Sequence, residues 1–587
     1  MKRLLVILGV LTFNLHFSTF NLLSAKTKEV HLKWIHTSDV HGSLFGYDYL
    51  AKRSSRGGLA SIYAYTQDQR HLYGDRLILT DGGDCLQGQP TAYYYNFIDT
   101  VSPHLVAEAM NLVGYDCGAM GNHDIEAGHA AYDRWVKDCH FPVLGANVID
   151  TSTGEPYLQP YLIIKRAGVK IAILGLLTPA IPSWLPEQLW SGLRFDDMVE
   201  SARKWVSLIQ EKEHPDLMVG LFHSGYEGGI STPEYVENAT KAVAEQVPGF
   251  DLICYGHDHK AASYHLKNSN GEDLVVMGPT SQGKRIAEAD IFLTMKKGHV
   301  VEKRITASTP NVDGGRPEDE HFFLEKFTKQ RQTLGEWVDQ PIGRLTKPLW
   351  ERDAFFGPSE FIDLIHQLQL DLTGADVSFA APLSFDSRLQ AGTIRVSDMF
   401  ALYKYENFLY TMRMTGREIR DFLEMSYDLW TNQMQSADDH ILLLDNNLDN
   451  GTRLGLKNVS YNMDSAAGIQ YVVDVSKPEG ERVRILSMAD GSPFDPDRDY
   501  RVAINSYRGN GGGELITRGA GIPHGELKNR ILASTDKDLR FYLMRRIQEQ
   551  KIITPKKLNC WRFVPDEWAP AAIERDRKIL FPNSQRQ

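Results

Sequence analysis

Gly121-Asn122-His123-Asp124 and Gly256-His257-Asp258-His259 each stand directly after an apolar run, YDCGAM in the first case and FDLICY in the second. Working outward, three more short clusters obey the same rule. Asp39 and His41 follow VHLKWIHTS, Asp84 follows RLILTDG, and His223-Ser224-Gly225 follows LMVGLF. Runs of this length and β-branched content, bounded by Gly or Ser, read as buried strands. The end of a strand and the turn after it are where open α/β sheets collect functional side chains. Carboxylates, an amide oxygen and imidazoles together suit hard or borderline divalent metals, not a thiolate-bound one.

The chain has 587 residues, too many for one hydrophobic core, so two domains with accessory segments are expected. A hydrophobic fraction of 42% and a charged fraction of 24% are those of an ordinary globular protein. The formal charge of −11 argues against a binder of nucleic-acid polymers, but a metal centre could still attract a small phosphate. Cys85, Cys117, Cys139, Cys254 and Cys560 form no CxxC pair, and four of them lie in or beside strand runs, as buried free thiols do. Met1-Lys2-Arg3 followed by apolar Leu4–Phe13 and then Ser24-Ala25 reads as an export signal over residues 1–25, with an uncleaved anchor as the alternative. No later window has the roughly 20 apolar residues of a membrane span, so a periplasmic or secreted protein is expected, with no obligate protein partner inferred.

Between residues 30 and 308, strand runs alternate with helical ones such as SPHLVAEAMNLVG, with Ser102 as N-cap ahead of Pro103, and DDMVESARKWVSLIQEK. Strand-rich YLIIKRAGVKIAILGLL and the run from 287 to 308 turn back as hairpins do. Paired sheets sandwiched by helices are therefore expected, not one parallel sheet. Polar residues 309–320 mark a boundary, and FFLEKFTKQRQTLGEWV, within 309–342, forms a bridging helix. A second mixed α/β unit follows over 343–565. The charged tail, 566–587, is expected to pack loosely.

A two-metal hydrolase needs a carboxylate shared by both ions and further N/O ligands on each. Asp39 and His41, two apart at a strand end, can reach one ion together. Asp84 lies among Gly82, Gly83 and Gly88, where backbone can crowd close, as a bridging ligand requires. Asn122, His223, His257 and His259 complete the set. An isolated His or Asp at a strand end is ordinarily a cap or a core-satisfied group. Seven of them, six directly beside Gly or Ser, are not explained that way.

In this order DxH, GD, GNHD, HSG and GHDH resemble the calcineurin-like metallophosphoesterase signature. Gly57–Ala60 (GGLA) and Leu144–Val148 (LGANV) narrow the resemblance to the 5′-nucleotidase family. The resemblance implies an N-terminal four-layer αββα sandwich, a C-terminal mixed α/β substrate-binding domain and a nucleotide substrate. It implies two divalent ions (Zn, Mn, Co or Mg), one on Asp39, His41, Asp84 and His259, the other on Asp84, Asn122, His223 and His257. His123 takes the place of the family's catalytic histidine, and Glu126 that of the acid orienting it.

In the second half, Tyr405, Asn407, Tyr507, Gly511 and Gly512 match the family's substrate-binding segments, with the base held between the two tyrosines. Gly-rich loops let backbone approach a ligand, and an aromatic face can stack on a base. The 5′ branch has NGGGIR-like and GGD motifs, whose Arg and Asp positions read Asp386 and Gly513 here. Tyr405-Glu-Asn407, TGREIRDFLEMS and NSYRGNGGG resemble instead the bacterial periplasmic 2′,3′-cyclic-nucleotide 2′-phosphodiesterase/3′-nucleotidases. A 5′-nucleotidase or UDP-sugar hydrolase is the alternative, and a sulfur-oxidation enzyme of the same superfold a more distant one.

Overall fold

The architecture was obtained as a computed structural model that describes residues 27–445, 447 and 455–582. The export segment expected over residues 1–25 lies outside these. Two six-stranded mixed sheets make up the N-terminal half. The first runs His299–Ser308, Ala287–Lys296, Lys28–Thr37, Leu77–Asp81, Cys117–Ala119, Val143–Leu144. The second runs Ala262–Lys267, Asp273–Gly278, Leu252–Tyr255, Leu217–His223, Val169–Leu177, Tyr161–Arg166.

The inner faces pack on each other. Trp34, Ile78 and Cys117 of the first sheet share a core with Ile173, Leu221 and Cys254 of the second. Gly175 sets the approach, since a Cβ there would lie 2.3 Å from Leu144 Cβ of the opposite sheet. Helices Gly58–Tyr73, Leu105–Val113 and His129–Asp138 cover the outer face of the first sheet through Ile62, Met110 and Trp135. Met198–Glu213 and Thr240–Gln246 cover the second through Val206, Ile209 and Val243. This is the αββα sandwich. Strands buried on both faces need apolar residues at every position, which is why VKIAILGLL reads as a continuous run. Among the described residues no helix is long and apolar enough to cross a membrane, and the five cysteines are unpaired.

Three local expectations change. The helix expected to be capped by Ser102 begins at Leu105 instead. The Asp99 carboxylate accepts the N–H groups of Val101 and Ser102, so this stretch closes as an Asx-type turn. The bridging helix breaks into Pro317–Lys326 and Thr328–Val338 at Phe327. The charged tail is not loose: Ala569–Leu580 is a helix whose buried Asp576 accepts the N–H groups of Ile441 and Leu442. Charge at the helix surface hid one inward carboxylate that satisfies a loop.

The C-terminal half is built on a five-stranded sheet ordered Ser465–Ala467, Val377–Ala380, Asp499–Asn505, Phe408–Thr415, Ile531–Asp538. Gly416–Trp430 packs on one face, with Phe422 stacked on Phe379 at 4.1 Å. Glu360–Thr373 and Leu539–Gln550 pack on the other. A capping box explains the start at TGREI: Thr415 Oγ accepts from Glu418 N, and Glu418 Oε2 accepts from Thr415 N. Tyr93 carries the first half onto the second, lying edge-on to Phe400 at 5.4 Å and donating its hydroxyl to Asp538.

Because the inter-sheet core has no slack, Leu221→Ala, at a fully buried position, is expected to cost about 2–5 kcal/mol. Urea denaturation followed by tryptophan fluorescence, with a lowered midpoint for the N-terminal domain, is the measurement.

Candidate active site

Five strands deliver the ligand-type side chains to one edge of the sandwich. Lys28–Thr37, Leu77–Asp81 and Cys117–Ala119 are mutually parallel, as are Leu217–His223 and Leu252–Tyr255, so their C-terminal ends converge. Asp39, His41 and His259 form one group with donor atoms within 4.8 Å of each other, and Asp84, His223 and His257 another. In the first, His41 Nε2 lies 3.1 Å from His259 Nε2, which is 3.3 Å from Asp39 Oδ1. In the second, His223 Nε2 lies 3.0 Å from Asn122 Oδ1 and 3.1 Å from Asp84 Oδ2.

The hydrogen count decides whether this set fits a cation. His223 Nδ1 faces the Gly82 carbonyl at 2.6 Å and must carry a proton to donate to it. The neutral ring then offers a bare Nε2 to two oxygens that are themselves acceptors. Asp84 Oδ2 and His41 Nδ1 are buried with no hydrogen-bond partner. Converging acceptors without donors call for positive charge, from an ion or from extra protons. The same demand shows in the titration of His223. Burial opposes its charged form, yet the Asp84 carboxylate pulls it up to about 9. The Asp84 carboxyl is held well below its usual range by His223 and His123, against burial. The two groups fit divalent cations, and these residues are the ones that would hold them.

Five of the ligand-type residues adopt a backbone that L-residues avoid: Asp39, His41, Asp84, His257 and His259 have φ between 50° and 85°. Neighbouring glycines make room. A Cβ on Gly121 would stand 2.1 Å from Asp84 Oδ1, and one on Gly256 2.0 Å from Ser38 Oγ. Asp124, which sequence reasoning gave no role, accepts the N–H groups of Asp84, Cys85, Leu86 and Gly121. His123 Nδ1 lies 2.5 Å from Glu126 Oε2, which leaves Nε2 as its free nitrogen. Burial lowers the His123 pKa, but Asp84 and Glu126 together raise it to about 10. A protonated ring at this position can donate through Nε2 to a phosphoryl oxygen or a leaving oxygen.

A cleft of about 270 Å³ runs from Asn122, His123, Glu126 and His257 to Tyr405, Asn407, Tyr461, Asn505 and Tyr507. Register brings the far wall together. Leu409 pairs with Asn505, so the entry to one antiparallel strand lies beside the exit of the other. Gly511 and Gly512 are not on the cleft wall. Gly512 backs Tyr507, where a Cβ would be 2.6 Å from the ring. Trp184 and Glu237 line the cleft and were missed, whereas Arg508, within NSYRGNGGG, and Tyr461 line it without having been named as binding residues. Trp184 and Glu237 lie outside the strand-end motifs, on segments with no periodic signal.

The comparisons agree with this geometry. Residues 32–261 match the calcineurin-like phosphoesterase family, and residues 341–518 match the 5′-nucleotidase C-terminal domain. The chain therefore joins a calcineurin-like phosphoesterase domain to a 5′-nucleotidase C-terminal domain, and it is a phosphoric ester hydrolase. It is 26% identical to the 2′,3′-cyclic-nucleotide 2′-phosphodiesterase/3′-nucleotidase of Yersinia enterocolitica, over 92% of this chain and 89% of that protein. It is 27% identical to the trifunctional nucleotide phosphoesterase protein YfkN of Bacillus subtilis, over 92% of this chain but 39% of that longer protein. A putative 5′-nucleotidase from Staphylococcus aureus superposes with a TM-score of 0.74 at 19% identity, covering 91% of this chain and 100% of that one, a likeness of fold.

If Asp84 is shared by the two groups, Asp84→Asn is expected to leave fewer than two ions per chain and almost no hydrolysis. Elemental analysis of the purified variant beside its turnover tests this, and two ions with normal turnover would refute the bridging role.

Proposed function

We propose that the protein is an exported phosphoesterase that hydrolyses 2′,3′-cyclic nucleotides and 3′-nucleotides to nucleosides and phosphate. The observation that carries the reading is the cleft itself, in which His123 and His257 face a wall of Tyr405, Tyr461 and Tyr507. A base stacked on tyrosine gains about 1–3 kcal/mol, and the attached ribose phosphate then reaches the histidine wall. Divalent ions at the two groups would lower the pKa of a bound water and offset phosphoryl charge. Glu126 fixes the His123 ring, and His123 donates to the phosphoryl or leaving oxygen, so that charge is met where it develops. Relatives named 2′,3′-cyclic-nucleotide 2′-phosphodiesterase/3′-nucleotidase over most of the chain favour the cyclic and 3′ substrates. Arg508 supports this choice. Its guanidinium is committed to Asp464, Asn462 and two carbonyls, so it does not replace the phosphate-binding Arg of the 5′ pattern. Hydrolysis of 5′-nucleotides is the second reading, favoured by 28% identity to the 5′-nucleotidase of Vibrio cholerae over 68% of this chain. Export rests on the Met1–Ala25 pattern.

Initial rates on 2′,3′-cyclic AMP, 3′-AMP and 5′-AMP with Mn²⁺ or Zn²⁺ decide between the readings, and a clear preference for 5′-AMP would overturn the first. His123→Ala is expected to lower kcat about 10²–10⁴-fold with metal content unchanged. A double Tyr405→Ala, Tyr507→Ala variant should raise KM for nucleotides and spare p-nitrophenyl phosphate, because stacking holds the base and takes no part in bond breaking. Equal losses on both substrates would make the tyrosines structural.

A further inference from the structure

Glu237 stands on the cleft wall with its Oε1 3.1 Å from His257 Nε2. No strand-end motif contains it, and it lies 20 residues before the histidine it faces. It is nevertheless held from several sides. Its Oε2 accepts the Ile230 N–H, and its backbone pairs with Ile230 through Glu237 N and the Ile230 carbonyl. Its own carbonyl accepts the hydroxyls of Thr178 and of Ser224, the residue after His223. Gly229, at φ 74°, makes room for it, since a Cβ there would lie 2.5 Å from the Glu237 carboxyl carbon. A carboxylate pinned this way faces a fixed direction.

We propose that Glu237 is the positioning residue for His257: its carboxylate accepts the Nε2–H and thereby fixes the tautomer with a bare Nδ1, the nitrogen left to serve the group with Asp84 and His223. The inference rests on the reading of Asp84, His223 and His257 as ligands of one divalent ion. An imidazole has one proton when neutral, and an acceptor at one nitrogen keeps that proton there. The opposite nitrogen is then a lone pair of fixed aim, and its basicity rises with the negative charge behind the ring. Two other histidines of the groups differ in this respect. His223 uses the Gly82 carbonyl, whereas His41 Nδ1 is buried with no hydrogen-bond partner. Glu237 thus supplies to His257 what a backbone carbonyl supplies to His223, with a full charge in place of a dipole.

Glu237→Gln separates this role from simple support. A carboxamide oxygen can still accept the Ile230 N–H, but its NH₂ then points at His257 Nε2 and favours the proton on Nδ1, where it blocks the ion. Metal-stripped full-length protein is titrated with Mn²⁺, with free ion followed by electron paramagnetic resonance and thermal unfolding as a check on folding. His257→Ala identifies which of the two affinities belongs to this group. Glu237→Gln should weaken that same affinity by about 10–100-fold and leave the other unchanged. Wild-type affinity in Glu237→Gln, alongside a loss in His257→Ala, would overturn the role of Glu237 alone. Wild-type affinity in both would overturn the ligand reading of His257 on which it rests. If Glu237→Gln fails to fold, Glu237→Asp, which keeps the charge but retracts it by one methylene, is titrated instead. A selective weakening supports the proposal, and unchanged binding refutes it.

Discussion

The Asp124 carboxylate accepts four backbone N–H groups, from Gly121 at 2.8 Å, Asp84 at 2.8 Å, Cys85 at 2.8 Å and Leu86 at 2.9 Å. Those donors belong to the turns after two neighbouring strands, Leu77–Asp81 and Cys117–Ala119. Asp84 answers with its own Oδ1, which accepts the His123 N–H at 2.8 Å. Hydrogen bonds to a charged group contribute about 1.5–3 kcal/mol each, and a buried donor left unmet costs about 1–3 kcal/mol. This one side chain therefore fixes the distance between Asp84 and the helix that starts at Asn122 and carries His123 and Glu126. Loosening it would move Asp84, His123 and Glu126 together.

The remaining geometry is obtained by strain in the same turns. A non-glycine residue at positive φ costs about 1–3 kcal/mol, and five of the ligand-type residues are held there. Such a backbone persists only where its surroundings over-determine it. Here they do: Asp39 N donates to Gly83 O, His41 N to Asp84 O, and Gly82 N to Thr37 O, so one turn is laced to the next. Gly121 and Gly256 then allow backbone to pass within contact of Asp84 and of Asp39, space that any Cβ would occupy. The glycines are part of the site although none offers a ligand atom.

This explains what was legible in the chain. Strand ends announce themselves through apolar runs, so the seven ligand-type residues, His123 and the paired sheets could be read from pattern. Glycines flanking Asp84 carried a second signal because their purpose is steric. Asp124 was visible as part of a motif, but its function is to bind amides of residues 84–86, a relation between two turns that no local window contains. Trp184 and Glu237 sit on irregular segments between strands of the second sheet, where neither period 2 nor period 3.6 applies. Asp576 failed to stand out for the opposite reason: it is one inward carboxylate on a helix with many outward charges.

The cleft adds a constraint that neither domain holds alone. Glu406 follows Tyr405, and its carboxylate is buried against the equally buried Arg540, at 2.5 Å. Arg540 also donates to the Tyr403 and Lys404 carbonyls and lies over the rings of Phe400 and Tyr93. Tyr93 belongs to the first domain and Phe400 to the second, so the guanidinium clamps the Tyr405 segment where the domains meet. A buried ion pair of this kind gains little net stability over an apolar substitute. Its effect is on geometry, because a hydrophobic contact can slide and a guanidinium whose three nitrogens each donate to a fixed acceptor cannot. The placement of the tyrosine wall opposite His123 is thereby held by an interaction directly behind Tyr405. On the proposed reading, that placement sets which phosphate on a ribose reaches the histidine when the base is stacked, and selectivity among ribose phosphates then depends on the domain junction as well as on the residues that line the cleft.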